Sequence, residues 1–162
     1  MKNFLKLTSI LILAAGILAS CENDWLDINK DPNNASSATA AQLYPAAVSS
    51  SAAVIGGRYD MVGGIWSQWW TQANASNQYK NFASFNLGPD DLDGSFRELY
   101  NGALNDYNAV KERAAQKENW SYFLMATVME AYTFQTLVDM YGKIPFSEAF
   151  QGANNLHPKY DD

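Results

Sequence analysis

Two long stretches in the second half of the chain carry apolar side chains at helical spacing, and this feature constrains the fold most. In the first stretch apolar residues recur every three or four positions, which predicts an amphipathic helix. The second stretch predicts a helix over about 120–141, capped by Gly142 and followed by Pro145. The predicted buried residues are Phe96, Leu99, Tyr100, Ala103, Leu104, Tyr107 and Val110 in the first helix, and Trp120, Phe123, Leu124, Val128, Ala131, Tyr132 and Val138 in the second.

A short polar link around 116–119 joins these two helices, so together they predict an antiparallel hairpin. Upstream, a helix is expected over about 45–55, with Pro45 in its first turn and Gly56-Gly57 at its end. Another helix is expected over about 58–73. No strand-rich half is visible, and the predicted fold class is therefore all-α.

The N-terminus has the features of a secretory signal peptide over residues 1–20. Lys2 and Lys6 precede a short apolar stretch, and small residues precede Cys21. The apolar stretch is shorter than the roughly 20 residues that a bilayer-spanning helix needs. Leu18-Ala19-Ser20-Cys21 resembles the bacterial lipobox, whose cysteine is acylated and becomes the first residue of the mature chain. The alternative is an ordinary signal peptide that happens to contain a cysteine.

Cys21 is the only cysteine of the chain, so it has no partner for an intramolecular disulfide. Acylation gives it a role as the lipid-attachment residue, and several acyl chains hold a protein stably on a membrane. The polar, partly acidic residues 21–39 are then a lipidated tether. Acidic residues close behind a lipidated cysteine resemble the surface-export signals of some Gram-negative lipoproteins, and a plain soluble linker is the alternative.

The charge balance of the chain is acidic, with 11 basic and 17 acidic residues. Removal of the signal peptide with its two lysines leaves nine basic against seventeen acidic residues, a net charge of −8. A protein with this charge repels phosphate backbones, so we expect no nucleic-acid partner.

The segment 130–149 resembles the SusD/RagB family of outer-membrane nutrient-binding lipoproteins. In that family a helix rich in alanine and aromatic residues ends in Asp-x-Tyr-Gly-x-Ile/Val-Pro. The segment 43–47 also resembles a Leu-Leu-Pro-Ala-Ala start found in one branch of the family. Lys143 departs from the acidic residue that usually follows the motif glycine. The motif is matched by Asp139, Tyr141, Gly142, Ile144 and Pro145.

The resemblance implies tetratricopeptide-like helical hairpins, with residues 40–162 as the N-terminal part of a SusD-like helical domain, because family members are several hundred residues long. It implies a lipid-anchored, surface-exposed outer-membrane protein that binds a glycan or another oligomeric nutrient. It also implies delivery of that nutrient to a SusC-like, TonB-dependent transporter, without catalysis. Because helical repeats stack their apolar faces on neighbours, we expect this shorter chain to expose an apolar patch and to be marginally stable or self-associating.

The densest group of aromatic and amide side chains lies between the two halves of the sequence. Aromatic rings pack against the apolar faces of sugars, and amides satisfy sugar hydroxyls as donors and acceptors. On a helix, the first tryptophan would share a face with one of the other two. The alternative is that the tryptophans fill a core against the third and fourth helices. The predicted ligand-binding residues are Trp66, Trp69, Trp70, Gln72, Asn74, Asn77, Gln78 and Tyr79.

The remaining polar residues match no catalytic or metal-binding pattern. Residues 89–94 fail the EF-hand template, because Pro89 and Tyr100 occupy its first and last ligand positions, and we interpret them as a turn before a helix. His157 is the only histidine, and no nucleophile motif accompanies it. We therefore expect no metal, cofactor or catalytic residue. Two alternatives to nutrient binding stay open: a surface glycoside hydrolase or its accessory subunit, and a helical-repeat adaptor without a small ligand.

Overall fold

The structure, a computed structural model, describes residues 37–161. The predicted signal peptide (1–20), Cys21 and residues 22–36 of the predicted tether lie outside the described residues. Within the described range every regular element is a helix, which confirms the predicted all-α class. The elements are α1 (Ala40–Ala53), α2 (Asp60–Trp66), α3 (Lys80–Ala83), α4 (Asp93–Glu98), α5 (Asn105–Gln116) and α6 (Trp120–Tyr141), the π-helical segments Val54–Tyr59 and Leu99–Leu104, and the 3-10 turn Gly152–Asn154.

Helix α1 begins at Ala40, earlier than predicted. The Thr39 backbone N–H donates to the Gln42 side-chain oxygen at 2.9 Å, an interaction typical of a capping box. Pro45 therefore lies inside α1, and its expected place in the first turn is wrong. The Thr-x-x-Gln spacing was the sequence signal for this start.

The expected helix end at Gly56-Gly57 is also wrong. Both glycines lie inside the π-helical segment Val54–Tyr59, which joins α1 to α2 without a break. Val54 and Tyr59, on either side of the glycines, are buried in the core. Packing on both sides thus keeps the chain helical where glycine propensity favours a break. We call the continuous helix over residues 40–66 the first helical run.

The second helical run, residues 93–116, consists of α4, the π-helical segment Leu99–Leu104 and α5. The predicted stripe along it is confirmed, because its residues are buried or half-buried. A short link leads into α6, which packs against α5. The ring of Phe96 near the start of the run meets Tyr141 at the end of α6, with centroids 5.1 Å apart. Lys111 pairs with Glu130 at 2.5 Å nearer the link, so the two helices form the expected antiparallel hairpin.

Helix α6 has the predicted bounds but buries another face. Ala126, Thr133 and Leu137 are fully buried against the first and second runs. The helix is apolar on nearly every side, so periodicity alone could not select the buried face. The buried face combines a small residue, a hydroxyl-bearing residue and two large apolar residues: Ala126, Thr133, Phe134 and Leu137. Of the predicted stripe Phe123 is half-buried, and the other residues are exposed: Trp120, Leu124, Val128, Ala131, Tyr132 and Val138.

A buried group of hydroxyls connects the three long helices. The Ser51 oxygen lies 3.0 Å from the Tyr107 hydroxyl and 3.4 Å from the Thr133 hydroxyl. Thr133 donates to the Met129 carbonyl, and Ser51 donates to a carbonyl of α1. Each hydroxyl therefore has a partner, so burying it does not leave an unsatisfied polar group.

The motif that resembles the SusD/RagB family spans the last turn of α6 and the residues that follow it. Gly142, the C-cap residue of α6, has a positive φ of 77°, which glycine adopts without the steric cost of a side chain. The Tyr141 hydroxyl donates to the Leu92 carbonyl at 2.8 Å and accepts from the Tyr59 hydroxyl at 3.1 Å. The end of α6 is thereby fixed to the start of the second run and to the first run.

Two further motif residues have identified partners. The Pro145 carbonyl accepts a hydrogen bond from the Tyr100 hydroxyl at 2.6 Å. The Asp139 carboxylate accepts one from the Gln135 side-chain amide, one turn earlier on α6, at 2.8 Å. Asp139 therefore interacts within its own helix, which offsets the unfavourable position of its charge near the helix C-terminus.

Candidate functional site

The end of the first helical run positions Trp66, Trp69 and Trp70. Helix α2 ends at Trp66, well before the expected end near residue 73, so Trp69 and Trp70 lie beyond the helix. The expectation that Trp66 shares a helical face with one of them is therefore wrong. Gln68 takes a left-handed φ of 62°, and the chain turns back on itself there. The Trp70 backbone N–H then donates to the Gly64 carbonyl at 2.9 Å. This turn lays the Trp70 ring over Gly64.

The close fit between Trp70 and Gly64 depends on the missing side chain of the glycine. A Cβ atom at Gly64 would lie 2.5 Å from the Trp70 Cε3 atom, well inside contact distance. Gly63, its neighbour in α2, has open space at the same position. Gly64 is thus the residue that allows the indole to approach α2 so closely.

Trp70 forms one wall of a cavity between α2 and the loop that follows. Its volume is about 390 Å³, within the range of small-molecule sites. Trp70 is half exposed, so its ring is accessible from solvent. We call this space the Trp70 cavity. It is lined by Met61, Ile65, Trp70, Thr71, Gln72, Ala73, Ser76, Gln78 and Tyr79.

Hydrogen bonds within the loop fix the amide side chains of the Trp70 cavity. Gln72 donates from its amide nitrogen to the Ser76 carbonyl at 2.5 Å and accepts the Tyr79 backbone N–H on its oxygen. Gln78 donates to the Tyr79 hydroxyl at 2.9 Å. These hydrogen bonds fix the cavity wall although the loop has no regular secondary structure. A wall that is already ordered lowers the entropic cost of binding a ligand.

The structure brings together Trp70, Gln72, Gln78 and Tyr79 but not the other four predicted residues. Trp66 donates its indole N–H to the Phe82 carbonyl and stacks on Phe85, with ring centroids 5.9 Å apart. It therefore holds residues 82–85 in place and does not line the cavity. Trp69 is 87% exposed and lies outside the lining. Asn74 and Asn77 are exposed and also outside it.

The alternative that these tryptophans fill a core against the long helices is wrong. Trp66 is 36% exposed, Trp70 is 50% exposed, and Trp69 is almost entirely solvated. The core in this part of the chain is made by Val62, Ile65 and Phe82.

The chemistry of the lining suits a neutral, hydroxyl-bearing ligand. No residue that lines the Trp70 cavity carries a charge, and its polar groups are amides and hydroxyls. A half-exposed indole can pack against the apolar face of a sugar, and fixed amides can hydrogen-bond its hydroxyls. Sequence reasoning missed Met61 and Ile65, which lie one helical turn apart on α2 and form the apolar floor.

Among residues 37–161 no three His, Cys, Asp or Glu side chains lie close enough together to hold a metal ion. None of the described helices combines the length and hydropathy that crossing a bilayer requires.

The fold and the cavity define an all-α protein with an aromatic and amide-lined surface site. A family model described as SusD-like_2, starch-binding associating with outer membrane, matches residues 32–162. The chain belongs to this family, which confirms the resemblance seen in the motif at the end of α6. A search of curated proteins found no significant match. The description connects the family with glycan binding and with the outer membrane.

Proposed function

We propose that the protein is a lipid-anchored, surface-exposed binding protein that captures neutral oligosaccharides in the Trp70 cavity. In this proposal residues 1–20 direct export, Cys21 carries the lipid, 21–39 form the tether and 40–162 form the binding domain. The bound oligosaccharide then passes to a SusC-like, TonB-dependent transporter.

The observation that carries the proposal is the uncharged lining of the Trp70 cavity in a chain of a starch-binding family. Starch oligomers are neutral and present alternating apolar faces and hydroxyl rims. Trp70 offers a ring to the former, and Gln72 and Gln78 offer amides to the latter. No carboxylate lines the cavity, whereas glycoside hydrolysis requires two of them around the scissile bond. The lining therefore supports binding over cleavage.

Calorimetric titration with maltotriose tests whether the Trp70 cavity binds neutral oligosaccharides. Loss of the indole in Trp70→Ala should weaken binding about tenfold, because one stacked ring contributes roughly 1 kcal/mol or more. Trp120→Ala is the matched control, since Trp120 is also exposed but lies on α6, outside the lining. Equal affinity of the Trp70→Ala variant and the parent protein would contradict the assignment of the site.

Anchoring and delivery need separate tests. Metabolic labelling with an alkyne palmitate should mark the parent protein and not a Cys21→Ser variant. Affinity purification from detergent-solubilised outer membranes should recover a large barrel protein together with the parent protein. Absence of label at Cys21 would remove the anchor from the proposal, and absence of a barrel partner would remove delivery.

The same preparations separate the two alternative functions. A hydrolase or its accessory subunit would give shorter products when the protein is incubated with starch oligosaccharides and the mixture is chromatographed. If the protein is an adaptor without a small ligand, the parent protein should give no heat with maltotriose. Its Trp69→Ala, Trp70→Ala variant should still bind every protein partner. The exposed apolar face of α6 is the observation that favours the adaptor.

A further inference from the structure

A second cavity lies between the second helical run and the residues that follow α6. Its volume is about 550 Å³, which is larger than the Trp70 cavity. None of its lining residues was among those predicted from the sequence to bind a ligand. We call it the Phe150 cavity. It is lined by Phe96, Tyr100, Asn101, Asn105, Pro145, Ala149, Phe150 and Pro158.

Three aromatic rings form a continuous wall of the Phe150 cavity. The rings of Phe96 and Tyr100 lie 4.7 Å apart at 35°, and those of Tyr100 and Phe150 lie 6.1 Å apart at 33°. The Tyr100 hydroxyl is held by the Pro145 carbonyl, and burial raises the pKa of Tyr100, so this group stays a donor. The wall is thus fixed before any ligand arrives.

Two unusual backbone features place the lining residues. Tyr100 and Asn101 lie within the π-helical segment Leu99–Leu104, and Asn105 follows it directly. Single π-helical turns inside α-helices are frequent at functional sites. Phe150 has a φ of 61°, which is an outlier for a residue with a bulky side chain. Strained backbone conformations of this kind cluster at binding and active sites. Both departures from regular geometry occur at the lining of this cavity.

The polar part of the lining consists of amides. Asn101 and Asn105 are exposed, and their side chains are the polar groups at the edge of the aromatic wall. No charged residue lines the cavity. An uncharged wall of three rings with two amides at its edge selects the same ligand chemistry as the Trp70 cavity, a neutral sugar unit.

We propose that the Phe150 cavity is a second saccharide-binding site, which stacks one sugar unit on Tyr100 and Phe150 and hydrogen-bonds it through Asn101 and Asn105. This inference rests on the proposed function, since it assumes that the protein binds neutral oligosaccharides. It adds a binding site that is separate from Trp70 and built from other elements.

Two readouts in one maltotriose titration separate the sites. The Phe150 cavity contains no tryptophan, so tryptophan fluorescence follows the Trp70 cavity, whereas calorimetry counts both. The parent protein should bind two maltotriose molecules. An Asn101→Ala, Asn105→Ala variant should bind one with normal affinity and the other about tenfold more weakly, because two hydrogen bonds are lost. Its fluorescence titration should match that of the parent protein.

The matched control is Asn154→Ala, which removes an exposed asparagine outside the cavity. Circular dichroism melts of all variants establish that the fold is retained. Unchanged stoichiometry and affinity in the Asn101→Ala, Asn105→Ala variant would overturn the second site and leave the proposed function standing. Binding that survives Trp70→Ala but is lost in the double variant would support the second site while refuting the first. No heat with the parent protein would overturn both.

Discussion

At the scale of single residues, the binding geometry depends on which glycine lies under the Trp70 ring. Gly64→Ala should displace the indole, because the new Cβ atom would lie 2.5 Å from its Cε3 atom. We expect maltotriose affinity at the Trp70 cavity to fall about tenfold, as for loss of the ring itself. Tryptophan fluorescence should shift to longer wavelength as the ring becomes more solvated.

Gly63→Ala is the matched control for that variant. Its new Cβ atom would meet nothing within 4 Å, and the residue lies in the same helix. Replacement of a helical glycine by alanine stabilises a helix by about 0.5–1 kcal/mol, so the urea midpoint should rise. Similar maltotriose affinities for the Gly63→Ala and Gly64→Ala variants would refute the steric role of Gly64.

The Tyr141 hydroxyl should contribute measurably to stability. Tyr141→Phe removes the donor to Leu92 and leaves the buried Tyr59 hydroxyl without its acceptor. We expect a loss of about 1–3 kcal/mol in the free energy of unfolding, measured by urea denaturation. Tyr132→Phe, at an exposed position of the same helix, should change it little. Equal effects of the two substitutions would contradict the structural role of Tyr141.

The types of residue in the candidate site were predictable from the sequence, but their arrangement was not. Aromatic and amide residues crowded together indicated the region of Trp70, Gln72 and Tyr79. Their arrangement depends on the left-handed turn at Gln68, a position where no glycine or asparagine signals such a turn. The Phe150 cavity could not be predicted, because its residues come from two segments far apart in the chain and two of them, Phe96 and Tyr100, belong to the predicted core stripe.

At the scale of elements, the segment after α6 is held by carboxylates. Asp161 accepts hydrogen bonds from the backbone N–H groups of Phe146 and Ser147 at 2.7 and 2.9 Å, and from the Ser147 hydroxyl. The Ser147 hydroxyl is the main cause that lowers the pKa of Asp161 below its ordinary value. Glu148 has a lowered pKa as well, chiefly because it accepts the Lys159 backbone N–H.

These shifts make the segment sensitive to acid. A carboxyl group with a lowered pKa in the folded state stabilises that state above its unfolded pKa of about 4, and the stabilisation is lost as pH falls through the folded pKa. We predict that hydrogen-exchange protection of the Phe146 and Ser147 amides declines between about pH 5 and pH 2. Asp161→Asn should show low protection already at pH 5. Protection that is independent of pH in the parent protein would contradict this account.

The bounds of α6 and the stripe of the second helical run followed from periodicity and capping signals. The continuity of the first helical run did not, because Gly56-Gly57 is a stronger local signal than the burial of Val54 and Tyr59, which depends on distant helices. The π-helical segments have no sequence signature of their own. In both π-helical segments, tertiary packing rather than local helix propensity determines the backbone conformation.

At the scale of the whole molecule, the described residues leave one side of α6 uncovered. Trp120, Leu124, Val128 and Tyr132 follow one another at four-residue spacing and are 51–65% exposed. Side chains at this spacing form one continuous stripe along a helix. Continuous exposed apolar patches are typical of protein–protein or membrane interaction sites. The sequence predicted such a patch, and the residues that form it are those expected to be buried.

We predict that the chain from residue 22 onward self-associates in solution through this stripe. Sedimentation velocity should show a sedimentation coefficient that rises with concentration over the micromolar range. Leu124→Lys, Val128→Lys should abolish that rise, because two charges cannot be buried without partners. Ser121→Lys adds the same kind of charge to α6 beside the stripe and should leave association intact. A parent protein that stays monomeric at every concentration would mean that the exposed stripe does not drive association.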